Sequence, residues 1–351
     1  SMLAYSVHGE GKTPESTGRK PDHFVGDYYV LFNDKLKSEE FTAEQPQEML
    51  QKWEAGEEGT RKLWLLMKQW CEEGFNQTLE KLGIHFQRED HESDIYLHGK
   101  EIVEKGLTAG LFKVDERGAT IAPLEDVGLN NKVLLRSDGT SVYMTQDLYL
   151  TKLRHDETKF TDMIFVVGNE QEYHFRTLFA IFKKLGYSFT DSCHHLSYGM
   201  VELPDGKMKS REGTVVDADD LILELEDLAK EQIVERYDDL REEEIHERAH
   251  AVGLAALKFM LLGKDTKVRI VFDPKESIRF EGDTGPYLLY THARASSILT
   301  KAAAEVGEIS DGSAPVETKE LELAVSLSNY PEVCEDAARQ LRPHVLCHYL
   351  L

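Results

Sequence analysis

Met163-Ile-Phe-Val-Val-Gly-Asn-Glu-Gln-Glu-Tyr-His174 is the stretch on which the reading of the fold turns. Its first five residues form a continuous apolar run, the pattern of a central parallel strand covered on both faces. Gly168-Asn-Glu follows as a loop, and the spacing beyond it predicts a helix over Glu172–Leu185, ended by Gly186. Strand, short loop and helix in that order make half of a nucleotide-binding α/β fold, whose ligands gather at the carboxyl ends of the strands. Helix-start amides and Gln171 can hold a carboxylate or a ribose there, and His174 can reach a nucleotide. Ordinary helix capping accounts for the same residues equally well.

The next strand, from His195 to Val201, leads into Gly199-Met-Val-Glu-Leu-Pro-Asp-Gly-Lys-Met-Lys-Ser-Arg-Glu-Gly213. Pro204 and Gly206 are turn formers. Lys207, Lys209 and Arg211 then place three cations within five residues, Ser210 adds a hydroxyl and Gly213 adds backbone freedom. Such a loop suits a polyphosphate, and a solvated basic hairpin tip is the plainer alternative. Upstream, Asp138-Gly-Thr-Ser-Val-Tyr-Met-Thr-Gln-Asp147 is expected to end a strand at Tyr143 and to open a helix at about Gln146. A carboxylate beside a phenol can receive a planar cation such as guanidinium. A helix-start carboxylate favoured by the dipole, next to a packed tyrosine, is the structural alternative.

The totals narrow the classes. A chain of 351 residues with 41% hydrophobic content can build two domains and is not disordered by composition. Lys+Arg 41 against Asp+Glu 64 leaves a net charge of −23, which excludes a general nucleic-acid binder; no DNA partner is expected, and an anionic partner must meet a local cationic patch. Cys71, Cys193, Cys334 and Cys347 form no CxxC pair and read as reduced thiols of a cytoplasmic protein. They and the 14 histidines lack zinc spacing, so no metal site is expected, and His194-His195 on a strand points to opposite faces. No apolar run reaches membrane length, and GxGxxG, Walker A, HExxH and GxSxG are absent.

Elsewhere the pattern expects loop over residues 1–25, a strand or helix start at Phe24–Phe32, helix over 40–82, a strand at Leu82–Phe86 and a helix at Lys100–Lys105. Short strands and turns follow over 111–143, with Asp115–Gly118 and Ser137–Thr140 as turns. Beyond the cationic loop come helices Ala218–Arg236 and Glu242–Leu262, an extended piece Val268–Phe272, a helix Tyr287–Val306, a linker Ser310–Pro315, and helices Glu317–Asn329 and Glu332–Leu351. This divides the chain into an α/β domain (1–236, with an insertion over about 20–130), a helical stem (237–280) and the start of an all-α domain (281–351). Both ends read as cut, since Ser1–Tyr5 and Pro343–Leu351 are apolar segments broken in mid-pattern.

Lys207-Met-Lys-Ser-Arg211 resembles the KMSKS signature of class I aminoacyl-tRNA synthetases. Asp138-Gly-Thr with Tyr143 and Asp147, Phe165-Val-Val-Gly168 with Gln171 and His174, and Gly282-Asp-Thr-Gly-Pro-Tyr-Leu-Leu-Tyr-Thr-His-Ala-Arg294 are similar to the arginyl-tRNA synthetases, over essentially the whole chain. The resemblance implies a partial Rossmann-like catalytic domain with an inserted segment, then a helical domain of the anticodon-binding type. It implies that Tyr143, Asp147 and Gln171 hold L-arginine, and that His174, Gly199, Met200, Val201, Lys207 and Met208 surround ATP. Lys207, Lys209, Ser210 and Arg211 would act on its pyrophosphate end, Mg²⁺ would accompany ATP, and Tyr290, His292 and Arg294 would face tRNA(Arg). Two departures stand out: no His-x-Gly-His occurs, and Ser210 holds the place of the signature's second lysine. The family carries the former upstream, so this piece by itself is expected to be inactive, and a monomer. A non-catalytic RNA-binding or regulatory relative is the alternative. A class I synthetase of the cysteinyl type is disfavoured by the Tyr143/Asp147 pair and the lack of a zinc set.

Overall fold

The computed structural model describes residues 1–95, 98–202, 217–305 and 316–351. Helices α1 (Met2–His8), α2 (Pro14–Thr17), α3 (Pro21–Lys37), α4 (Gln45–Glu54), α5 (Glu58–Lys81), α6 (Glu92–Ile95) and α7 (Gly99–Thr108) precede strands β1 (Lys113–Val114), β2 (Thr120–Ala122) and β3 (Lys132–Leu135). Then come α8 (Tyr143–Thr158), β4 (Met163–Gly168), α9 (Glu172–Lys184), β5 (Cys193–Tyr198) and β6 (Val201–Glu202). The rest is α10 (Ala218–Arg236), α11 (Glu242–Leu262), β7 (Ile270–Val271), α12 (Pro274–Ser277), α13 (Gly285–Glu305), α14 (Thr318–Ser328), α15 (Tyr330–Gln340) and α16 (Pro343–Tyr349).

Contacts divide the chain into two compact units. One takes residues 1–87, the described part of 203–258, and 273–290; the other takes 88–202, 259–272 and the described part of 291–351. In the first unit α3 packs along α5, and Ala4, Phe24, Tyr28 and Phe41 close a small core. Its rings meet edge to face, Trp70 lying 5.4 Å from Phe24 and 5.7 Å from Tyr5, the geometry that aromatic quadrupoles favour. The stretch Phe24–Phe32 is thus helical. Pro21 at the first position of α3 suits a helix start, and Phe24, Val25 and Tyr28 share its buried face. In α10, Ile222, Leu225, Ala229 and Ile233 recur at helical spacing and are buried.

A cluster of charges ties the starts of α3 and α10 to α5. Lys20 Nζ donates to Asp22 (2.9 Å) and Thr78 Oγ1 (2.8 Å) and lies 2.9 Å from Asp219 Oδ2. Thr78 Oγ1 donates to Asp219 at 2.8 Å, and Lys81 reaches its other oxygen at 3.2 Å. His23 Nε2 stands 3.4 Å from Asp217. Asp22 fits against α5 because residue 74 is glycine; a Cβ there would lie 2.1 Å from Asp22 Oδ1. Burial alone would raise the Asp219 carboxyl, but the hydrogen bonds from Lys20, Thr78 and Lys81 outweigh it and hold it down at about 2.

In the second unit β1–β2–β3 is an antiparallel sheet and β4 pairs with β5 in parallel, from Met163↔Cys193 to Gly168↔Tyr198. Its core gathers Phe112, Leu134, Leu148, Leu178, Phe182 and Phe189. Several sequence expectations change here or in the first unit. Residues 1–25, expected as loop, carry α1, α2 and the start of α3, with Pro14 and Pro21 at helix starts, where proline is tolerated. β4 is not covered on both faces, since Ile164 and Val166 are 40% and 62% exposed and only β5 pairs with it among the described residues. Leu82–Phe86 makes no strand: Gly83 turns the chain at φ +65° and Ile84 and Phe86 are exposed. The strand expected from His195 to Val201 breaks at Gly199-Met200, with β6 pairing instead with β7. The last helix is two, because Leu341 turns left-handed (φ 54°) and Pro343 drives the residue before it out of the helical region.

The cluster around Asp219 carries a pH dependence. Its folded carboxyl lies below its ordinary 3.8, so the stabilisation is complete above that value and lost as pH falls through about 2. It amounts to roughly 2 kcal/mol. Denaturant unfolding should therefore show the stability gap between wild type and Asp219→Asn narrowing by that amount between about pH 5 and about pH 2. A gap independent of pH would contradict the assignment.

Candidate functional site

The parallel register of β4 and β5 brings the segments that follow them, Asn169–Gln171 and Gly199–Glu202, out at the same end of the pair. Gly168 ends β4 and is buried; Asn169–Gln171 is a single 3₁₀ turn, and Gln171, exposed, stands at the N-cap position of α9 with no capping hydrogen bond from its side chain. Phe175 anchors the first turn of α9: it is 6% exposed, lies 5.1 Å from Phe165 and stacks on His195 at 4.3 Å. His195 is held by a hydrogen bond from Nε2 to the Val167 carbonyl at 3.0 Å, while His194 turns the other way, 3.2 Å from Asp162.

α8 begins at Tyr143, three residues earlier than expected, so Tyr143 is its first residue rather than a strand end. Met144, Leu148 and Thr151 bury one face, and the Thr145 hydroxyl donates to the Leu134 carbonyl, pinning the helix to β3. Tyr143 and Asp147 are four residues apart and so share another face. Tyr143 is 73% exposed. The preceding turn is set by Asp138, whose carboxylate accepts from the Thr140 hydroxyl (2.7 Å) and amide (2.9 Å); these bonds hold it below the usual carboxylate range.

The structure joins two residues that the sequence assigned to separate ligands. His174 Nε2 lies 2.6 Å from Asp147 Oδ2, with the Asp147 side chain 38% and the His174 side chain 18% exposed. A carboxylate only accepts, so Nε2 is the donor. No single motif revealed this pairing; it arises because α8 packs on α9.

Gly199, Met200 and Val201 run beside 266–272. The Gly199 amide donates to the Thr266 carbonyl at 2.7 Å, and Ile270 and Phe272 amides donate to Met200 and Glu202 carbonyls. Gly199 is buried; Met200 is 50% exposed. Arg269 pairs with Glu202 at 3.0 Å. Lys207, Met208, Lys209, Ser210 and Arg211 lie outside the described residues, as does the linker 310–315. Tyr290, His292 and Arg294 are on α13, all exposed.

One group among the described residues, Asp22, His23 and Asp219, brings ligand atoms within 4.8 Å of one another. Lys20 Nζ stands on both carboxylates, so the cation there is the chain's own. Lys20-Pro-Asp-His23 and Asp217-Ala-Asp219 hold a recognisable excess of charge at two helix starts, but which charges meet is fixed only by the packing of α3, α5 and α10.

Comparison with known proteins shows the family and the fold. The family model described as tRNA synthetases class I (R), catalytic domain, matches residues 2–273, and that of the DALR anticodon binding domain matches 288–351. An arginine--tRNA ligase of Parabacteroides distasonis is 45% identical over 373 aligned positions, covering 100% of this chain and 62% of that protein. One of Treponema denticola is 47% identical over 361, covering 100% and 61%. The chain thus spans about 62% of the length of the curated relatives it matches. In fold it is similar to an arginyl-tRNA synthetase of Thermus thermophilus (TM-score 0.71, 23% identity, 94% of this chain and 68% of that one) and to one of Plasmodium falciparum (TM-score 0.75, 20% identity, 93% and 58%). The expected fold class holds: a class I catalytic domain of α/β type followed by a helical DALR domain.

The close approach at Gly199 is directly testable. A Cβ there would sit 2.4 Å from the Val268 carbonyl oxygen, with backbone rather than a yielding side chain in its way. Gly199→Ala should lower stability by about 1–3 kcal/mol, read as a drop in melting temperature. An unchanged melt would mean that β6 and β7 do not run together.

Proposed function

The chain belongs to the family of class I tRNA synthetases (R), and we propose that it is the arginine- and ATP-handling part, with the start of the tRNA-binding part, of an arginine--tRNA ligase. The observation that supports this most is Asp147. It is a partly buried carboxylate at the end of the parallel strand pair, with a tyrosine one turn before it and an imidazole, not a lysine or arginine, as its partner.

In this reading Asp147 and Tyr143 take the substrate guanidinium, and Gln171, at the start of α9, lines the same pocket. A planar cation with parallel N–H groups is matched by a carboxylate better than an ammonium is. The arginine carboxylate attacks the α-phosphorus of ATP and pyrophosphate leaves; the arginyl group then passes to the terminal ribose of tRNA(Arg). No protein nucleophile is needed. The chain holds the reactants in line and stabilises phosphate charge. Gly199, Met200 and Val201 present backbone close to the adenine, and Lys207, Met208, Lys209, Ser210 and Arg211 serve the phosphates. Tyr290, His292 and Arg294 on α13 face the tRNA. No DNA and no second copy of the chain are invoked, and the reaction is placed in the cytoplasm. Among the described residues no helix is long and apolar enough to cross a membrane.

Mg²⁺ commonly travels with ATP on phosphate oxygens rather than in an all-protein cage. The described carboxylate cluster does not fit it, because Lys20 already lies on Asp22 and Asp219. No step here depends on the metal.

Calorimetric titration of the 351-residue chain with L-arginine tests the pocket. Asp147→Ala should weaken binding by roughly 10- to 100-fold, the loss expected for a hydrogen-bonded charge pair. L-citrulline, the uncharged isostere, should bind weakly to both proteins. Equal arginine affinity in wild type and variant would refute the assigned pocket.

A further inference from the structure

Among the described residues, several buried carboxylates are met by the chain's own lysines and arginines. Asp219 is held by Lys20 and Lys81, Glu202 by Arg269, and Asp90 lies between Arg88 and Arg154 at 2.7 and 2.9 Å. Two carboxylates differ. Glu226 on α10 meets the His250 imidazole on α11 at 2.6 Å, in the first unit. For Asp147, no lysine or arginine nitrogen of the described residues lies within 4.0 Å, and its partner is the His174 imidazole at 2.6 Å.

We infer that His174 is a positioning residue for Asp147 that sets the preference for guanidinium over ammonium, in place of the nucleotide contact the sequence led us to expect. This rests on the arginine reading above. An aspartate carboxylate turns easily about its last torsion, which is broad and roughly two-fold. A single donor on Oδ2 fixes the plane of the group and leaves Oδ1 and the second lone pair of Oδ2 for a ligand. An imidazole can do so without the permanent charge of a lysine or arginine, so the negative charge stays available to an incoming cation. A guanidinium fork needs that fixed plane, because its N–H groups are parallel and rigid; an ammonium is a point charge and tolerates rotation.

The imidazole is itself held in place. Its ring meets Phe175 edge-on (5.5 Å, 83°), and Phe175 is buried between Phe165 and His195. His195 in turn is tied to the β4 backbone at Val167. A continuous series of contacts thus runs from the strand to the carboxylate.

The test is calorimetry on the 351-residue chain with L-arginine, L-lysine and ATP as separate probes, for wild type, His174→Ala and His174→Gln. Glutamine can place an amide N–H near the position of Nε2. We expect His174→Ala to weaken L-arginine about 10-fold while changing L-lysine and ATP less than about 2-fold, so that the preference for arginine narrows. His174→Gln should recover most of the loss. Melting temperatures should stay alike in all three proteins, which separates positioning from folding; a His174→Ala protein that fails to fold leaves the Gln variant to decide, with full arginine affinity supporting the inference and a loss like that of Asp147→Ala overturning it. Weakened ATP binding with unchanged arginine binding would overturn the inference and return His174 to the nucleotide. Unchanged arginine binding in His174→Ala would overturn it while leaving the arginine reading intact. Absence of arginine binding by the wild-type chain would overturn that reading, and the role of His174 with it.

Discussion

The parallel pairing of β4 with β5 is the constraint from which the candidate site follows. Because Gly168 stands opposite Tyr198, both strands finish at one level and both following segments start from it. Parallel strands cannot be joined by a tight turn, so a helix must cross between them, and α9 fills that role. The crossing puts the amino end of α9, with Gln171 and His174, at the carboxyl end of the pair. α8 packs on α9, and Asp147 is thereby brought to His174. A different register would move each of these groups at once.

The chain's electrostatics sort into two kinds of carboxylate. With a net charge of −23, acidic groups outnumber the cationic ones and the excess can only be solvated. Several of those drawn inside are matched by cations, and the match is strong enough at Asp219 and Asp90 to overcome the burial that opposes ionisation. Such pairs organise packing more than they stabilise, since desolvation offsets much of their attraction. Asp147, like Glu226 beside His250, belongs to neither kind: it is partly withdrawn from water and left with an imidazole donor in place of a lysine or arginine.

Much of this was legible in the sequence. The apolar run Met163–Val167 and the amphipathic helix after it showed the β4–α9 unit, and the turn residues around Asp115–Gly118 and Ser137–Thr140 showed the small antiparallel sheet. The order of Tyr143, Asp147, Gln171 and His174 marked the region of the candidate site, where the structure brings Asp147 and His174 together. Three features were not legible. An apolar strand reads the same whether one face or two are covered, so the open side at Ile164 and Val166 left no trace. The break at Gly199 depends on the backbone of 266–270, a neighbour remote in sequence. Leu341 carries no local signal for a left-handed turn, although Pro343 two residues later does mark a boundary. Side-chain pairings between helices, such as Asp147 with His174 or Lys20 with Asp219, are decided by packing and are invisible to spacing rules.

The cluster at Lys20 has the donor set of a small cation site: two carboxylates, a hydroxyl and an imidazole nearby. Its ion, however, is tethered by four methylenes to the backbone that frames it. Occupancy is therefore decided when the chain folds and not by the concentration of any ion in solution. A chelator has nothing to remove and a competing metal has no vacancy to enter. Three helices are thus joined as a bound metal would join them, without dependence on supply, and emptying the site requires a covalent change at a single lysine.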